Sequence, residues 1–128
     1  MKKEIVVLDS DSRQSRCLCE FLVGQHYTAV EMNKMVDLEP YLRASDCRAV
    51  ILNLDNIRVT NQTLRKLKRK KPNASIIVLS ERQFHPELEE AFRDYISVCL
   101  KQPLDSDELV YWLRSIFENN DVPNAKSC

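Results

Sequence analysis

Five short apolar runs, each followed by a stretch long enough for a helix, constrain this chain more than any single motif does. They lie at Glu4 to Asp9, Tyr27 to Glu31, Ala49 to Leu52, Ser75 to Ser80 and Ile96 to Leu100. The clearest, Ala49-Val50-Ile51-Leu52, runs unbroken into an amide, Asn53, and the chain turns polar just beyond it. Unbroken apolar runs this short, bounded by polar residues, read as strands buried on both faces. Their alternation with helices predicts an α/β fold: a five-stranded parallel sheet with helices on both faces, doubly wound and joined by right-handed crossovers. With 128 residues the chain suits one domain. It is assigned to residues 1–118, with 119–128 a polar tail or the start of a linker.

The intervening stretches carry helix signals of unequal strength. Asp11 or Ser12 can cap the first helix, in which Cys17, Leu18, Phe21 and Leu22 share a face, and Gly24 stands where a helix stop belongs. A short helix from about Asp37 to Ala44 tolerates Pro40 in its first turn and turns Leu38, Tyr41 and Leu42 inward. Thr60 to Lys71 reads as a helix with two leucines among six basic residues. His85-Pro86 opens a fourth, with Leu88, Ala91, Phe92 and Tyr95 inward. The last is the best defined: Asp105 caps it, Glu108 follows three residues on, and Leu109, Trp112, Leu113, Ile116 and Phe117 form one stripe.

Composition then excludes several classes of function. Basic and acidic residues balance at 19 each, so no global field recruits nucleic acid or an anionic membrane. No apolar run approaches the ~20 residues that span a bilayer, and the charged start leads into a strand rather than a signal peptide. The expected compartment is the cytoplasm. Five cysteines without a CxxC pair are expected to be reduced, mostly buried thiols.

In an open α/β sheet, ligands bind outside the carboxyl ends of the strands. That rim carries Asp9, Ser10 and Asp11 after the first strand, Asn53 after the third, Ser80 and Glu81 after the fourth, and Lys101, Gln102 and Pro103 after the fifth. The order of elements, the acidic end of the first strand, the Leu79-Ser80 strand end and the proline after the fifth strand together resemble the receiver domain of two-component response regulators, a flavodoxin-like (βα)5 fold. The resemblance extends over roughly residues 3–118. It implies two adjacent acids for magnesium after the first strand and a phosphoacceptor aspartate ending the third. It also implies a Ser or Thr ending the fourth and a lysine before the final proline.

The match departs from that pattern at the residues that do the chemistry. Asp9 keeps the first acid, but Ser10 stands where the direct magnesium ligand belongs and Asn53 at the phosphoacceptor position. Ser80 keeps the hydroxyl, Glu81 replaces a small residue, and Gln102 replaces the lysine before Pro103. Lys101 comes one place early, on the other side of the strand, and Cys99 takes the place of an aromatic ring. The loop after the third strand lacks the usual proline and glycines. A neutral amide is no nucleophile and forms no acyl phosphate. Magnesium wants hard anionic oxygens, so Asp9 with Asp11 offers at most a weak site and no cofactor is expected. Gln102 brings no charge to a phosphoryl oxygen, and Glu81 repels one.

The leading expectation is therefore a receiver-like, non-enzymatic signalling module of a two-component phosphorelay, a pseudo-receiver that acts by protein–protein interaction without phosphorylation. Its partners would be a histidine kinase, a downstream signalling protein, or a second copy of itself through the fourth and fifth helices, with no membrane and no nucleic acid contacted directly. A second reading is a working receiver that uses Asp55, on the same side of the third strand as Asn53 if that strand runs two residues longer. A third, a flavodoxin-like cofactor-binding protein or enzyme, is disfavoured because Gly24 is the only glycine and no phosphate loop exists. The basic run from Arg65 to Lys71 is read as a solvated helix face and His85 as a helix cap; Tyr95, Tyr111 and Trp112 offer a partner surface, with core the leading reading for Trp112.

Overall fold

The computed structural model describes residues 3–118. The expected tail at 119–128, with Cys128, lies outside the described residues. Strands β1 (Glu4–Leu8), β2 (Thr28–Met32), β3 (Ala49–Asn53), β4 (Ser75–Ser80) and β5 (Val98–Lys101) alternate with helices α1 (Ser12–Gly24), α2 (Leu38–Ala44), α3 (Asn61–Lys70), α4 (Glu89–Asp94) and α5 (Ser106–Glu118). Single 3₁₀ turns at Met35–Asp37 and Pro86–Leu88 lead into α2 and α4. The strands form one parallel sheet in the order β2-β1-β3-β4-β5. This is the expected doubly wound, flavodoxin-like arrangement.

Two cores follow from the period-2 alternation of side chains along each strand. Val6, Leu8, Val50, Leu52, Ile76 and Val78 face α2, α3 and α4, where Leu42, Leu64 and Ala91 meet them. Ile5, Val7, Ile51, Ile77, Leu79 and Leu100 face α1 and α5, where Leu22, Leu109 and Leu113 close the second layer. All five residues of β3 are buried, as its unbroken apolar run requires. Trp112 packs half-buried against the second core.

Several local readings shift. In α1 the inward face is Ser15, Leu18, Cys19 and Leu22, so Cys17 is exposed, while Cys19 and Cys47 are buried. Burial, with Glu31 adding to it, pushes the Cys19 thiol up to about 11, which keeps it protonated and inert. Helix α1 stops at Gly24, as expected, and the left-handed residue that closes it follows two places on at His26 (φ 73°). Its amide donates to Val23 O while the Tyr27 amide donates to Leu22 O, the paired bonds that close a helix through a left-handed residue. Helix α4 is shorter than its apolar pattern because the amides of Tyr95 and Ile96 both close on Ala91 O. Strand β5 accordingly starts at Val98, with Ile96 left in the helix-side core.

The basic face of α3 is less solvated than its composition suggests. Arg65 makes a two-pronged bond to Glu90 of α4 (2.7 and 2.9 Å), and the Tyr95 hydroxyl donates to the same carboxylate (2.7 Å). Lys68 donates to Pro72 O and Ala74 O, Lys70 pairs with Glu39 at 2.7 Å, and Lys71 donates to Ser45 O. These cations tie α3 to its neighbours.

Two predictions follow from this frame. Arg65, then Tyr95, hold the Glu90 carboxyl down to about 2. A carboxyl depressed on folding stabilises above its ordinary pKa of about 4.3, and that contribution is lost as pH falls toward the folded value. Glu90→Gln should lower Tm by a few degrees near neutral pH and narrow its gap to the parent below about pH 3; a constant gap across that range would rule out the Glu90 charge as the cause. Because a side chain at a left-handed position costs about 1–2 kcal/mol and glycine's extra chain entropy offsets roughly half of that, His26→Gly should stabilise by about 0.5–1 kcal/mol in denaturant melts. A loss of stability would mean that the His26 side chain contributes more than its strain costs.

Candidate functional site

Strands β1 and β3 lie side by side, yet the helices that follow them pack on opposite faces of the sheet. A crevice opens between their carboxyl ends, and Asp9 and Asn53 stand in it. Both are buried, at 5% and 3% exposure. Asn53 Nδ2 donates to Asp9 Oδ2 at 3.0 Å and more weakly to Gln14 Oε1 at 3.4 Å. Its Oδ1 accepts the Asp55 amide at 2.9 Å, which fixes the direction of the side-chain amide. The second Asp9 oxygen accepts the Asp11 amide (2.8 Å) and Asn56 Nδ2 (2.7 Å), and Asn56 Oδ1 in turn accepts the Ser10 amide (3.1 Å). Neutral donors therefore satisfy both oxygens of Asp9.

The donor set for a cation is correspondingly poor. Asp11 is exposed and caps α1, with Oδ1 accepting the amides of Arg13 (3.0 Å) and Gln14 (3.3 Å). Ser10 is exposed, and its amide is bound to Asn56. Asn53 turns its NH₂ toward Asp9, where a ligand oxygen would be needed. Among the described residues no group of three or more His, Cys, Asp or Glu side chains is placed to hold a metal. Residues 9, 10, 11 and 53 do not fit a magnesium ion in this arrangement.

At the end of β4, Ser80 is almost completely buried and lies 2.7 Å from Nε2 of His85. The Ser80 hydroxyl oxygen also accepts the Arg82 amide at 3.0 Å. Burial, then the nearby Arg82 charge, holds His85 below its ordinary imidazole pKa, so a neutral ring can accept the Ser80 O–H. The ring stacks on Phe92 at 4.9 Å, with planes 21° apart. His85 does precede a helical turn, but its side chain caps nothing and belongs to the strand end instead.

Glu81 is exposed, and its amide donates to both carboxylate oxygens of Asp55 at 3.1 Å each. Strand β3 ends at Asn53, so Asp55 sits in the following turn, exposed, and not on a strand two residues longer. From β5, Gln102 donates its amide to Ser80 O at 3.0 Å and precedes Pro103 through a cis peptide. Lys101 lines a cleft of about 1040 Å³ between α4 and α5, together with Phe84, Phe92, Cys99 and Trp112. Phe84 is 80% exposed at its edge.

The structure thus gathers Asp9, Ser10, Asn53, Ser80, Glu81 and Gln102 at one rim, with Asp55 bridging two of its loops. Sequence reasoning missed Gln14, Asn56 and His85. The signal for Asn56 was a second amide three residues past the one that ends the strand.

No protein-family model matches the chain, and no curated protein matches it with significance. Solved structures do. A two-component response regulator from Clostridium difficile superposes with a TM-score of 0.80 at 13% identity, over 94% of this chain and 99% of that one. The signal receiver domain of an HD domain-containing protein from Pseudomonas fluorescens Pf-5 gives 0.80 at 21% identity, over 91% and 88%. A co-crystal structure of the Saccharomyces cerevisiae histidine phosphotransfer signalling protein Ypd1 with the receiver domain of its downstream response regulator Ssk1 gives 0.72 at 10% identity, over 89% and 88%. No helix among the described residues is long and apolar enough to cross a membrane. The fold of this chain is that of a response-regulator receiver domain.

Proposed function

We propose that this chain is a receiver-type signalling module that works by protein–protein contact, without accepting a phosphoryl group and without magnesium. The observation that carries the reading is the Asn53 amide, buried at the end of β3 with its nitrogen 3.0 Å from Asp9. A side-chain amide supplies no nucleophile for acyl phosphate formation. Its N–H fills the space beside Asp9 where a cation would otherwise balance that carboxylate. Gln102 places a neutral side chain at the β5 end, and Glu81 adds negative charge at the β4 end, which disfavours an incoming phosphoryl group. Asp55 engages the Glu81 amide from an exposed turn, a poor position for a phosphoacceptor that needs a metal beside it.

The surface proposed for partner contact is the cleft between α4 and α5, with Phe84 and Trp112 at its sides. Histidine phosphotransfer or kinase proteins, downstream signalling proteins and a second copy of this chain are the candidate partners; the Ssk1 receiver domain of the yeast complex meets a phosphotransfer protein. In the cell the module would work in the cytoplasm.

Incubating the protein with acetyl phosphate, or with beryllofluoride, in excess magnesium should give no adduct by intact mass and no shift of the backbone NMR signals at Asn53, Asp55 or Glu81. A stoichiometric adduct at Asp9 or Asp55 overturns the reading. The reverse substitution tests the role of the amide. Asn53→Asp sets a second carboxylate about 3 Å from Asp9 in place of a donor, so it should cost about 1–3 kcal/mol of stability near neutral pH. The loss should shrink on acidification, as the pair takes up a proton, and on addition of magnesium. A variant as stable as the parent in metal-free buffer would show that the bond from Asn53 to Asp9 holds nothing.

A further inference from the structure

We infer that the Asp55 carboxylate is a built-in tie that fixes the loop after β4 in one arrangement and, through it, sets the shape of the cleft between α4 and α5. The inference rests on the phosphorylation-independent reading above and names how the site is held in that state. Asp55 carries a formal charge from the turn after β3 across to the Glu81 amide, with both oxygens 3.1 Å from the nitrogen. A hydrogen bond to an ionised acceptor is stronger than a neutral one. Asp55 is itself positioned, because its own amide is held by Asn53 Oδ1 at 2.9 Å. The residue that forgoes nucleophilic chemistry is thus the one that aims the tie.

From Glu81 the constraint passes along consecutive residues. On its amino side Ser80 is fixed by His85, at 2.7 Å. On its carboxyl side Arg82 donates its amide to Ser80 Oγ and its guanidinium to both Glu87 oxygens, at 2.7 and 2.9 Å. His85 stacks on Phe92 of α4, and His85, Phe92 and Arg82 all line the cleft. Ser80, Glu81 and Arg82 are therefore each held at a separate point, and the hold on Glu81 comes from outside its own loop. Without Asp55, Glu81 loses its anchor to the turn after β3, while the turn beyond His85 keeps the more distant bond from Asn61 Nδ2 of α3 to Glu87 O at 3.2 Å.

Amide hydrogen exchange of the ¹⁵N-labelled full chain tests this. Asp55→Ala should accelerate exchange at Glu81 and Arg82 by about tenfold, as loss of one charge-assisted bond implies, and leave Val6 and Ile51 in the sheet unchanged. It should also shift the side-chain signals of His85, Phe92 and Trp112. Asp55→Asn, which keeps one neutral acceptor oxygen and a similar shape, should fall between parent and Asp55→Ala and reports even if the alanine variant folds poorly. Exchange at Glu81 and Arg82 within twofold of the parent in the asparagine and alanine variants, or unmoved signals at His85 and Phe92, overturns the tie. A beryllofluoride adduct on the parent protein would instead overturn the function on which it rests, so the two failures are read from different samples.

Discussion

The carboxylate of Asp9 is the constraint on which the site depends. It is buried at the point where the sheet switches direction, and a carboxylate taken out of water must find donors or a cation there. Here it finds the Asp11 backbone amide and the side-chain amides of Asn53 and Asn56. Removing one partner of a buried charged group costs about 1–3 kcal/mol, because the group left behind stays desolvated. Asn53 and Asn56 are therefore parts of one solution, in which neutral side-chain donors satisfy the buried carboxylate. Asn56 also accepts the Ser10 amide, so the same side chain that steadies Asp9 fixes the loop leading into α1.

Much of the fold was legible because it is written in local periodicity. The buried runs gave β3 and β4 nearly to the residue, and the apolar stripe from Leu109 to Phe117 gave α5, since both patterns reflect which side of an element meets the sheet. Asp11 and Asp105 each accept amides of the turn that follows, as their residue types suggested, whereas Thr60, read as the first helical residue, proves to be the cap of α3. What was not legible depends on tertiary closure. Glycine is the default for a left-handed exit from a helix, so the eye goes to Gly24. The backbone turns two residues later, at His26, because Tyr27 must come back to pack against Phe117, with ring centroids 5.3 Å apart.

The site divides in the same way. Which residues reach the rim follows from strand ends, and Asp9, Asn53, Ser80 and Gln102 could be placed from the sequence. Which of them bond does not follow, because the partners are remote along the chain. Asn56 meets Asp9 across 47 residues, and Asp55 meets Glu81 across 26. The same limit applies to α3, where six cations among the seven residues from Arg65 to Lys71 suggested a face turned to water. Arg65 instead spans 25 residues to a carboxylate on α4, and Lys70 reaches Glu39 on α2. Composition fixes how many charges a helix carries, while the packing of its neighbours decides how many of them are used.

Asn53 and Asp55 together tie the loops of this rim to one another. A loop cluster at strand ends carries many backbone amides that the sheet does not satisfy, and an anion bound among them would answer that need. In this chain the answer is divided between two side chains two residues apart. Asn53 gives its nitrogen to the buried acid and its oxygen to the backbone of Asp55, and Asp55 gives its charge to the amide at the end of the neighbouring strand. An aspartate at position 53 would break the first of these contacts by repulsion and leave the buried acid in need of a cation. The neutral amide is thus what lets Asn53 donate to Asp9, and the Asp55 carboxylate meets the Glu81 amide from the turn beside it.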